Sequence, residues 1–174
     1  MLVILSGLPG VGKTAIAREL ARTVGAVHVR IDSIEQALRR SGSSVEAEGY
    51  EVAYAVAEDN LRAGLAVVAD CVNPWPLTRG AWRVVADRCG AAALDVEIVC
   101  SDAAEHRRRV ESREPDIAGQ ALPTWDDVMK RNYHQWDGDR LVVDTAGSDV
   151  AAAVRAIAVR LSAPARPAKP RAGG

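Results

Sequence analysis

The sequence predicts an α/β fold in which helices cover both faces of a parallel β-sheet. Short apolar runs alternate with amphipathic, helix-length segments along most of the 174 residues. Strands that alternate with helices are typical of a parallel sheet with right-handed crossovers. The runs are apolar at nearly every position, as expected of strands buried on both faces. The chain is also long enough to bury a sizeable core without disulfides.

The first half of the chain predicts three strands and three helices. The strands are the short apolar runs at residues 3–6, 26–31 and 65–69. The helices repeat apolar residues at helical spacing over residues 13–23, 33–40 and 46–63. The segment Asn73-Pro74-Trp75-Pro76 predicts a loop, because two prolines so close together forbid regular strand pairing.

The second half predicts two more strands and three more helices. A helix over residues 77–89 closes at Gly90, a strand follows at 92–100, and Ser101 or Asp102 caps an arginine-rich helix that runs to about Arg113. Residues 114–123 lack an apolar period and predict a mobile loop. Thr124 caps a short helix, before a strand at 140–143 and a helix at 148–161. We therefore predict one domain over residues 1–162 and a disordered, basic Pro/Gly-rich tail over 163–174.

A complete G-x-x-x-x-G-K-[ST] motif follows the first strand, at Gly7-Leu8-Pro9-Gly10-Val11-Gly12-Lys13-Thr14. It stands between a strand and a helix, which is the context that this phosphate-binding loop requires. In such a loop the backbone N–H groups and Lys13 bind phosphates, and the Thr14 hydroxyl ligates Mg²⁺. The helix N-terminus also favours anions. The predicted nucleotide-binding residues of the loop are Gly7, Pro9, Gly10, Val11, Gly12, Lys13, Thr14 and Ala15.

Two carboxylates are predicted at the same sheet edge, because ligand sites gather at the carboxyl ends of parallel strands. Asp70 ends the third apolar run, as does the acid that holds Mg²⁺ in phosphoryl transfer, so Thr14 and Asp70 are the predicted metal ligands. Asp32 follows the second strand and has two interpretations. It is either the base that accepts a proton from a substrate hydroxyl, or a helix N-cap with Glu35 three residues on. Both acids are also candidates for contact with the acceptor.

Further candidates lie on the arginine-rich helix and around the proline loop. Arg109 and Arg113 are four residues apart, so within a helix they share one face and can grip one phosphate. The alternative is an ordinary solvated charged face, although the loop that follows favours a lid. Asn73 and Arg79 flank the proline loop and either orient an acceptor or form a turn and a helix start. The three histidines have no metal-ligand spacing and receive no role.

Composition narrows the classes of function. The net charge of −1 argues against a broad nucleic-acid surface, so nucleic acid is a possible but disfavoured partner. No apolar stretch approaches the roughly 18 residues of a membrane span. Three widely spaced cysteines fit a reducing compartment. These features predict a soluble, cytoplasmic protein without a membrane partner, and they leave its oligomeric state open.

With these motifs in this order, the chain resembles the small P-loop kinases. This group contains chloramphenicol phosphotransferase, zeta toxins, gluconate kinase and the kinase domain of polynucleotide kinases. The resemblance implies a three-layer P-loop NTPase fold of the kinase type, with a parallel, five-stranded sheet and a small helical lid. It also implies that Asp32 is the catalytic base and that Arg109 and Arg113 contact the triphosphate. Adenine would lie against the loop after the fifth strand, which makes Thr145 a nucleotide contact.

We therefore expect an ATP-dependent phosphotransferase with Mg²⁺ as cofactor. It would move the γ-phosphoryl group to a hydroxyl of a small molecule, such as a sugar, a nucleoside or an antibiotic, with Lys13, Asp32, Arg109 and Arg113 as catalytic residues. One alternative is a 5′-hydroxyl polynucleotide kinase. Another, from a different class, is a nucleotide-dependent switch that acts on a protein partner. No acceptor-binding signature appears in the chain, so the sequence leaves the acceptor open.

Overall fold

Five parallel strands form the central sheet of the computed structural model, which describes residues 1–162. The strands are β1 (Leu2–Ser6), β2 (Val27–Arg30), β3 (Val67–Asp70), β4 (Ala93–Val99) and β5 (Leu141–Asp144). They lie in the order β2-β3-β1-β4-β5, and every neighbouring pair is parallel. All five residues of the central strand β1 are buried, which explains its uninterrupted apolar run. The tail predicted at 163–174 lies outside the described residues.

Seven helices complete the described part of the fold: α1 (Lys13–Val24), α2 (Ile31–Arg40), α3 (Glu48–Arg62), α4 (Pro76–Arg88), α5 (Ala103–Glu111), α6 (Trp125–Lys130) and α7 (Val150–Ser162). On one face of the sheet, Leu20 of α1 and Ile157 of α7 belong to the core that contains Val96. On the other face, Ala57 of α3 and Trp82 of α4 belong to the core that contains Ile4. The predicted three-layer sandwich is confirmed. Within residues 1–162, every helix is too short or too polar to traverse a lipid bilayer.

Strand order places the predicted site at one edge of the sheet. The first strand, β1, lies between β3 and β4. The chain leaves β1 toward β2 on one side and leaves β4 toward β5 on the other, so a crevice opens beyond the carboxyl end of β1. Leu5 pairs with Asp70, and Arg30 pairs with the same residue from the other side. The phosphate loop, Asp70 and the start of α2 therefore meet at this crevice.

Two helix boundaries differ from the sequence prediction in ways that matter for function. The arginine-rich helix α5 ends at Glu111, because Pro115 lacks the N–H that would bond to the Glu111 carbonyl in a longer helix, and its ring would clash with that carbonyl. Helix α2 begins at Ile31, directly after β2, rather than at residue 33. Arg113 is therefore outside its predicted helix, whereas Asp32 is inside the first turn of α2.

Candidate functional site

The phosphate loop is held by close contacts that only glycine allows at two positions. Gly7 has φ +145°, and a Cβ atom there would lie 2.3 Å from the carbonyl oxygen of Ile98 in β4. Gly10 has φ +86°, and its Cβ would lie 2.4 Å from Cγ2 of Val110 in α5. Residues without a side chain are needed where the backbone adopts positive φ this close to its neighbours. The loop is therefore packed between β4 and α5.

The loop forms one wall of a cleft of about 880 Å³, which is near the upper end of small-molecule sites. Of the eight loop residues predicted to bind the nucleotide, six line this cleft: Pro9, Gly10, Gly12, Lys13, Thr14 and Ala15. Val11 is buried in the core instead, and Gly7 is packed against β4. The opposite wall comes from α2 and from residues 113–123.

Lys13 lies buried at the base of the cleft, at the first residue of α1. Its Nζ donates a hydrogen bond to the carbonyl of Leu8, 2.8 Å away. Burial lowers the pKa of Lys13, although the carboxylates of Asp70 and Asp32 oppose that shift. The ammonium group is thus fixed by the loop itself and lies near both acids, where it can bind the phosphates of a nucleotide.

Asp70 is buried at the end of β3. Burial alone would raise the pKa of Asp70, but a hydrogen bond from His28, the charge of Lys13 and the Thr14 hydroxyl outweigh it, so the pKa lies below its ordinary value. Nε2 of His28 is 3.4 Å from Asp70 Oδ2. An ionised carboxylate beside a hydroxyl provides oxygen ligands that suit Mg²⁺. Residues 1–162 contain no metal-holding cluster of three or more His, Cys, Asp or Glu, so a metal here would need phosphate oxygens as well.

Asp32 faces the cleft from the first turn of α2. Its side chain is 38% exposed, and no side chain caps α2, whose N-cap residue is Arg30. The interpretation of Asp32 as a helix cap is therefore wrong. The carboxylate is available to a ligand, while the positive end of the helix dipole stabilises its charge.

Arg30 is a site residue that the sequence analysis missed. It is only 5% exposed, and its Nε is 3.9 Å from Asp70 Oδ2. Its Nη2 is 3.5 Å from Asp32 Oδ2. Both Nη atoms also donate to the carboxylate of Asp116, at 2.7 and 3.0 Å. The one signal available in the sequence was a charged residue at the end of an apolar strand.

Arg109 and Arg113 both line the cleft, but the prediction that they share a helix face is wrong, because α5 ends before Arg113. Arg109 donates to the hydroxyl and the carbonyl of Thr145, at 2.8 and 2.9 Å. Arg113 has its Nη2 3.7 Å from Asp116 Oδ1. Thr145 is buried after β5, and its hydroxyl also lies 3.0 Å from the carbonyl of Val11. Arg109 and Thr145 therefore link α5, the loop after β5 and the phosphate loop.

Asn73 and Arg79 are both buried away from the cleft. The Asn73 side chain is fully enclosed and donates to the Ser6 hydroxyl. Arg79 donates to four backbone carbonyls, those of Asn73, Pro74, His134 and Gln135. Neither residue lines the cleft. This finding corrects the prediction that they orient an acceptor and gives both a structural role.

Another residue without a predicted role also supports the site. The His106 ring of α5 has its Nε2 2.8 Å from the carbonyl of Pro9. The same ring packs edge-to-face on Trp125, with centroids 5.1 Å apart. His106 therefore joins the phosphate loop to both α5 and α6. The sequence analysis assigned His106 no role because it considered only metal-ligand spacing, whereas the ring contacts a backbone carbonyl.

Several solved structures of known proteins share the fold of this chain. A gluconokinase from Sinorhizobium meliloti is 18% identical, with a TM-score of 0.64 over 92% of this chain and 92% of that one. The Mycobacterium tuberculosis APS kinase, solved with AMPPNP and APS, is 18% identical, with a TM-score of 0.68 over 93% and 97% of the chains. Chaetomium thermophilum Kti12, solved with ADP-AlF3, is 19% identical, with a TM-score of 0.68 over 92% and 97%. At these identities the likeness shows a shared fold.

No curated protein matches the sequence. The AAA_33 family model, described as an AAA domain, matches residues 2–131. This range contains the phosphate loop, Asp32, Asp70 and both cleft arginines of the α5 region, and it ends one residue after α6. Since the match spans most of the chain, this protein belongs to that AAA domain family and has the fold of the small P-loop kinases.

Proposed function

We propose that this protein is an ATP-dependent kinase that transfers the γ-phosphoryl group to a hydroxyl of a small molecule. The observation that carries the proposal is the placement of Asp32. The Asp32 carboxylate does not act as a helix cap. It is half-buried, faces the same cleft as Lys13, and lies close enough to oppose the fall in the pKa of Lys13. A nucleotide-hydrolysing switch needs the phosphate loop, but it has no need of a carboxylate base for an acceptor.

The triphosphate would lie on the phosphate loop. Lys13 and the free N–H groups at the start of α1 would bind its terminal phosphates. Asp70 and Thr14 would hold Mg²⁺, which neutralises the charge that develops on the transferred group. Arg109 and Arg113 reach the cleft from the other side and would add positive charge to the same phosphates. The adenine ring of ATP would lie next to the loop after β5, where Thr145 fixes the backbone.

Asp32 would act on the acceptor. A general base must come within hydrogen-bond reach of the proton that it removes, and the first turn of α2 presents Asp32 to the open part of the cleft. The acceptor hydroxyl would donate its proton to this carboxylate as its oxygen attacks the γ-phosphorus. The P–O bond to the leaving ADP breaks in the same step, and Asp32 later releases the proton to solvent.

The test is a metabolite screen with ATP labelled at the γ-phosphate. We expect the wild-type protein to label at least one small hydroxyl compound. Asp32→Asn should reduce this transfer by about 10²–10⁴-fold, the usual contribution of a positioned base, while ATP affinity changes little. Asp59→Asn is the matched control, because Asp59 is an exposed acid on α3 that does not line the cleft. Full transfer by Asp32→Asn would overturn the assignment of the base.

A 5′-hydroxyl polynucleotide kinase is the second candidate. Its support is the cleft wall, where Arg39 and Arg131 accompany a partly exposed Trp75, since aromatic rings and arginines bind single strands by stacking and by charge. Single-stranded oligonucleotides with 5′-hydroxyl ends test it directly. Efficient labelling of these ends, with no labelled metabolite, would replace the small-molecule proposal.

A further inference from the structure

Three arginines from separate parts of the chain converge on one carboxylate in the cleft. Arg18 comes from α1, Arg30 from the end of β2, and Arg113 from the segment after α5. Each lies within ion-pair distance of Asp116. Arg30 binds both Asp116 oxygens with its two Nη atoms, at 2.7 and 3.0 Å. This paired geometry is the one with which arginine recognises carboxylates and phosphates.

The residue that occupies this arginine cluster belongs to a loop. Asp116 lies between α5 and α6, in a segment without helix or strand, so it can leave without breaking regular structure. Arg30, by contrast, is buried in the sheet edge and cannot follow the loop. Its Nε is buried without a hydrogen-bond partner among the described residues. The arginine cluster therefore contains a fixed cation, Arg30, with an unused N–H donor, and a carboxylate, Asp116, that can be replaced by another anion.

The arginine cluster is next to the proposed base. Nη2 of Arg30 is 3.5 Å from Asp32 Oδ2 and also donates to Asp116. A hydroxyl held at Asp32 and an anion held in place of Asp116 would thus be separated by one guanidinium group. Such a span fits a small molecule that carries a hydroxyl and an acidic group a few bonds apart.

We propose that the acceptor carries an anionic group, a carboxylate or a phosphate, that binds Arg18, Arg30 and Arg113 in place of Asp116. This inference rests on the proposed kinase function and narrows its substrate class to hydroxy acids and phosphorylated alcohols. Asp116 then occupies the site while the acceptor is absent. The hydrogen bonds from Arg30 hold the pKa of Asp116 well below its usual range, so the loop presents a charged carboxylate at neutral pH, as a ligand would.

The experiment titrates the full chain with the simplest probes of each chemistry, acetate and inorganic phosphate. Saturating Mg²⁺–AMPPNP fills the phosphate loop first, and the arginine Nε–Hε NMR signals report binding. Asp116→Asn removes the competing charge. We expect it to bind at least one of the two ions at least roughly tenfold more tightly than the wild type does. If Asp116 instead stays bound to the arginines at all times, this variant would bind acetate and phosphate no more tightly than the wild type does.

Arg18→Gln tests the cluster without disturbing the core, because the Arg18 side chain is 55% exposed. Introduced into Asp116→Asn, it should weaken ion binding by about tenfold. Arg22→Gln is the matched control, since Arg22 is an exposed arginine of α1 that pairs with Glu19 and does not line the cleft. Ion binding that is absent from Asp116→Asn, or that is unaffected by Arg18→Gln, would overturn the proposal.

Phosphoryl transfer is measured separately, so that the two proposals can fail independently. With matched acceptors such as glucose, gluconate and glucose 6-phosphate, or the equivalent set built on whichever acceptor the screen identifies, we expect an anionic member to have at least roughly tenfold higher kcat/KM. Transfer with equal kcat/KM for neutral and anionic members would overturn this inference and leave the kinase function intact. Ion binding that depends on Arg18, with no transfer to any hydroxyl, would overturn the kinase function and leave the arginine cluster as an anion site that serves no acceptor.

Discussion

Arg79 offers a prediction that separates a structural role from an acceptor-binding one. Its buried guanidinium donates to His134 O at 2.7 Å and to Asn73 O at 3.0 Å, with two longer bonds at 3.3 Å. It also lies 4.1 Å from the ring centroid of Trp136. Hydrogen bonds from charged donors are each worth about 1.5–3 kcal/mol, so the two shorter bonds imply a loss of about 3–6 kcal/mol in Arg79→Ala. That is a large part of a typical folding free energy of about 5–15 kcal/mol.

Urea denaturation of the wild type, Arg79→Ala and Arg79→Lys measures this loss. The lysine variant keeps the charge but cannot reach the spread of carbonyls with one ammonium group, so its stability should be intermediate. Arg88→Ala is the control, because the Arg88 side chain is 64% exposed and its Nη1 is as far as 3.9 Å from Glu58 Oε2, so the ion pair is weak. This variant should change stability by no more than about 0.5 kcal/mol. If Arg79→Ala matched that control in stability and instead raised the KM for the acceptor, the structural assignment would be refuted.

Three further predictions concern the phosphate loop, the loop after β5 and pH. Gly10→Ala should weaken nucleotide binding by at least about tenfold, because its Cβ would meet Val110 at 2.4 Å. Gly64→Ala should leave binding unchanged, because Gly64 has a similar φ of +82° but no atom of the described residues beyond its chain neighbours lies within 4 Å of its Cβ position. Calorimetry with AMPPNP measures both variants. Thr145→Val should lower stability by about 1–3 kcal/mol and weaken nucleotide binding, because the lost hydroxyl contacts Arg109 and Val11. The pKa of Asp116 is depressed from 3.8 chiefly by hydrogen bonds from Arg30. The stability that the wild type has in excess of Asp116→Asn should therefore be complete above about pH 5 and decrease progressively as the pH falls below that value.

Each of these predictions has an outcome that contradicts it. Equal AMPPNP affinity in Gly10→Ala and Gly64→Ala would show that the loop has room to shift away from α5. Wild-type stability in Thr145→Val would mean that the Thr145 hydroxyl does not join the two loops. For Asp116, a stability difference that stays constant from pH 7 to pH 2 would rule out an ionised carboxylate as its source.

Much of the fold could be predicted from the sequence because its signals are local. The phosphate loop is contiguous, so its motif can be recognised in the sequence, although the neighbours that require glycine at Gly7 and Gly10 are the distant residues Ile98 and Val110. Asp70 was predictable as a site residue because it ends an apolar run, and an acidic residue at the end of a buried strand is typical of a functional site. The strands follow largely apolar runs and the helices follow a period of 3.6 residues. The ends of these elements deviate mainly where local rules compete, as at Pro115.

The rest of the site depends on contacts between distant segments. Arg30 meets Asp116 across 86 residues, and no spacing rule connects a strand end with a loop that lacks any apolar period. The sequence left Arg79 as either an acceptor contact or a helix start, yet in the structure it is buried and contacts residues 133–136. Arg113 was expected to follow the face of Arg109 only because the helix was extended past its true end at Glu111.

The central claim is that this cleft transfers phosphate to a hydroxyl rather than to water. ³¹P NMR of the γ-phosphorus of ATP, followed in the presence of a metabolite extract, tests it most directly. We expect new phosphomonoester signals with the wild type and with Asp59→Asn, and their loss with Asp32→Asn while AMPPNP still binds. Conversion of ATP to inorganic phosphate alone, at equal rates in all three proteins, would overturn the kinase proposal and favour a nucleotide-dependent switch.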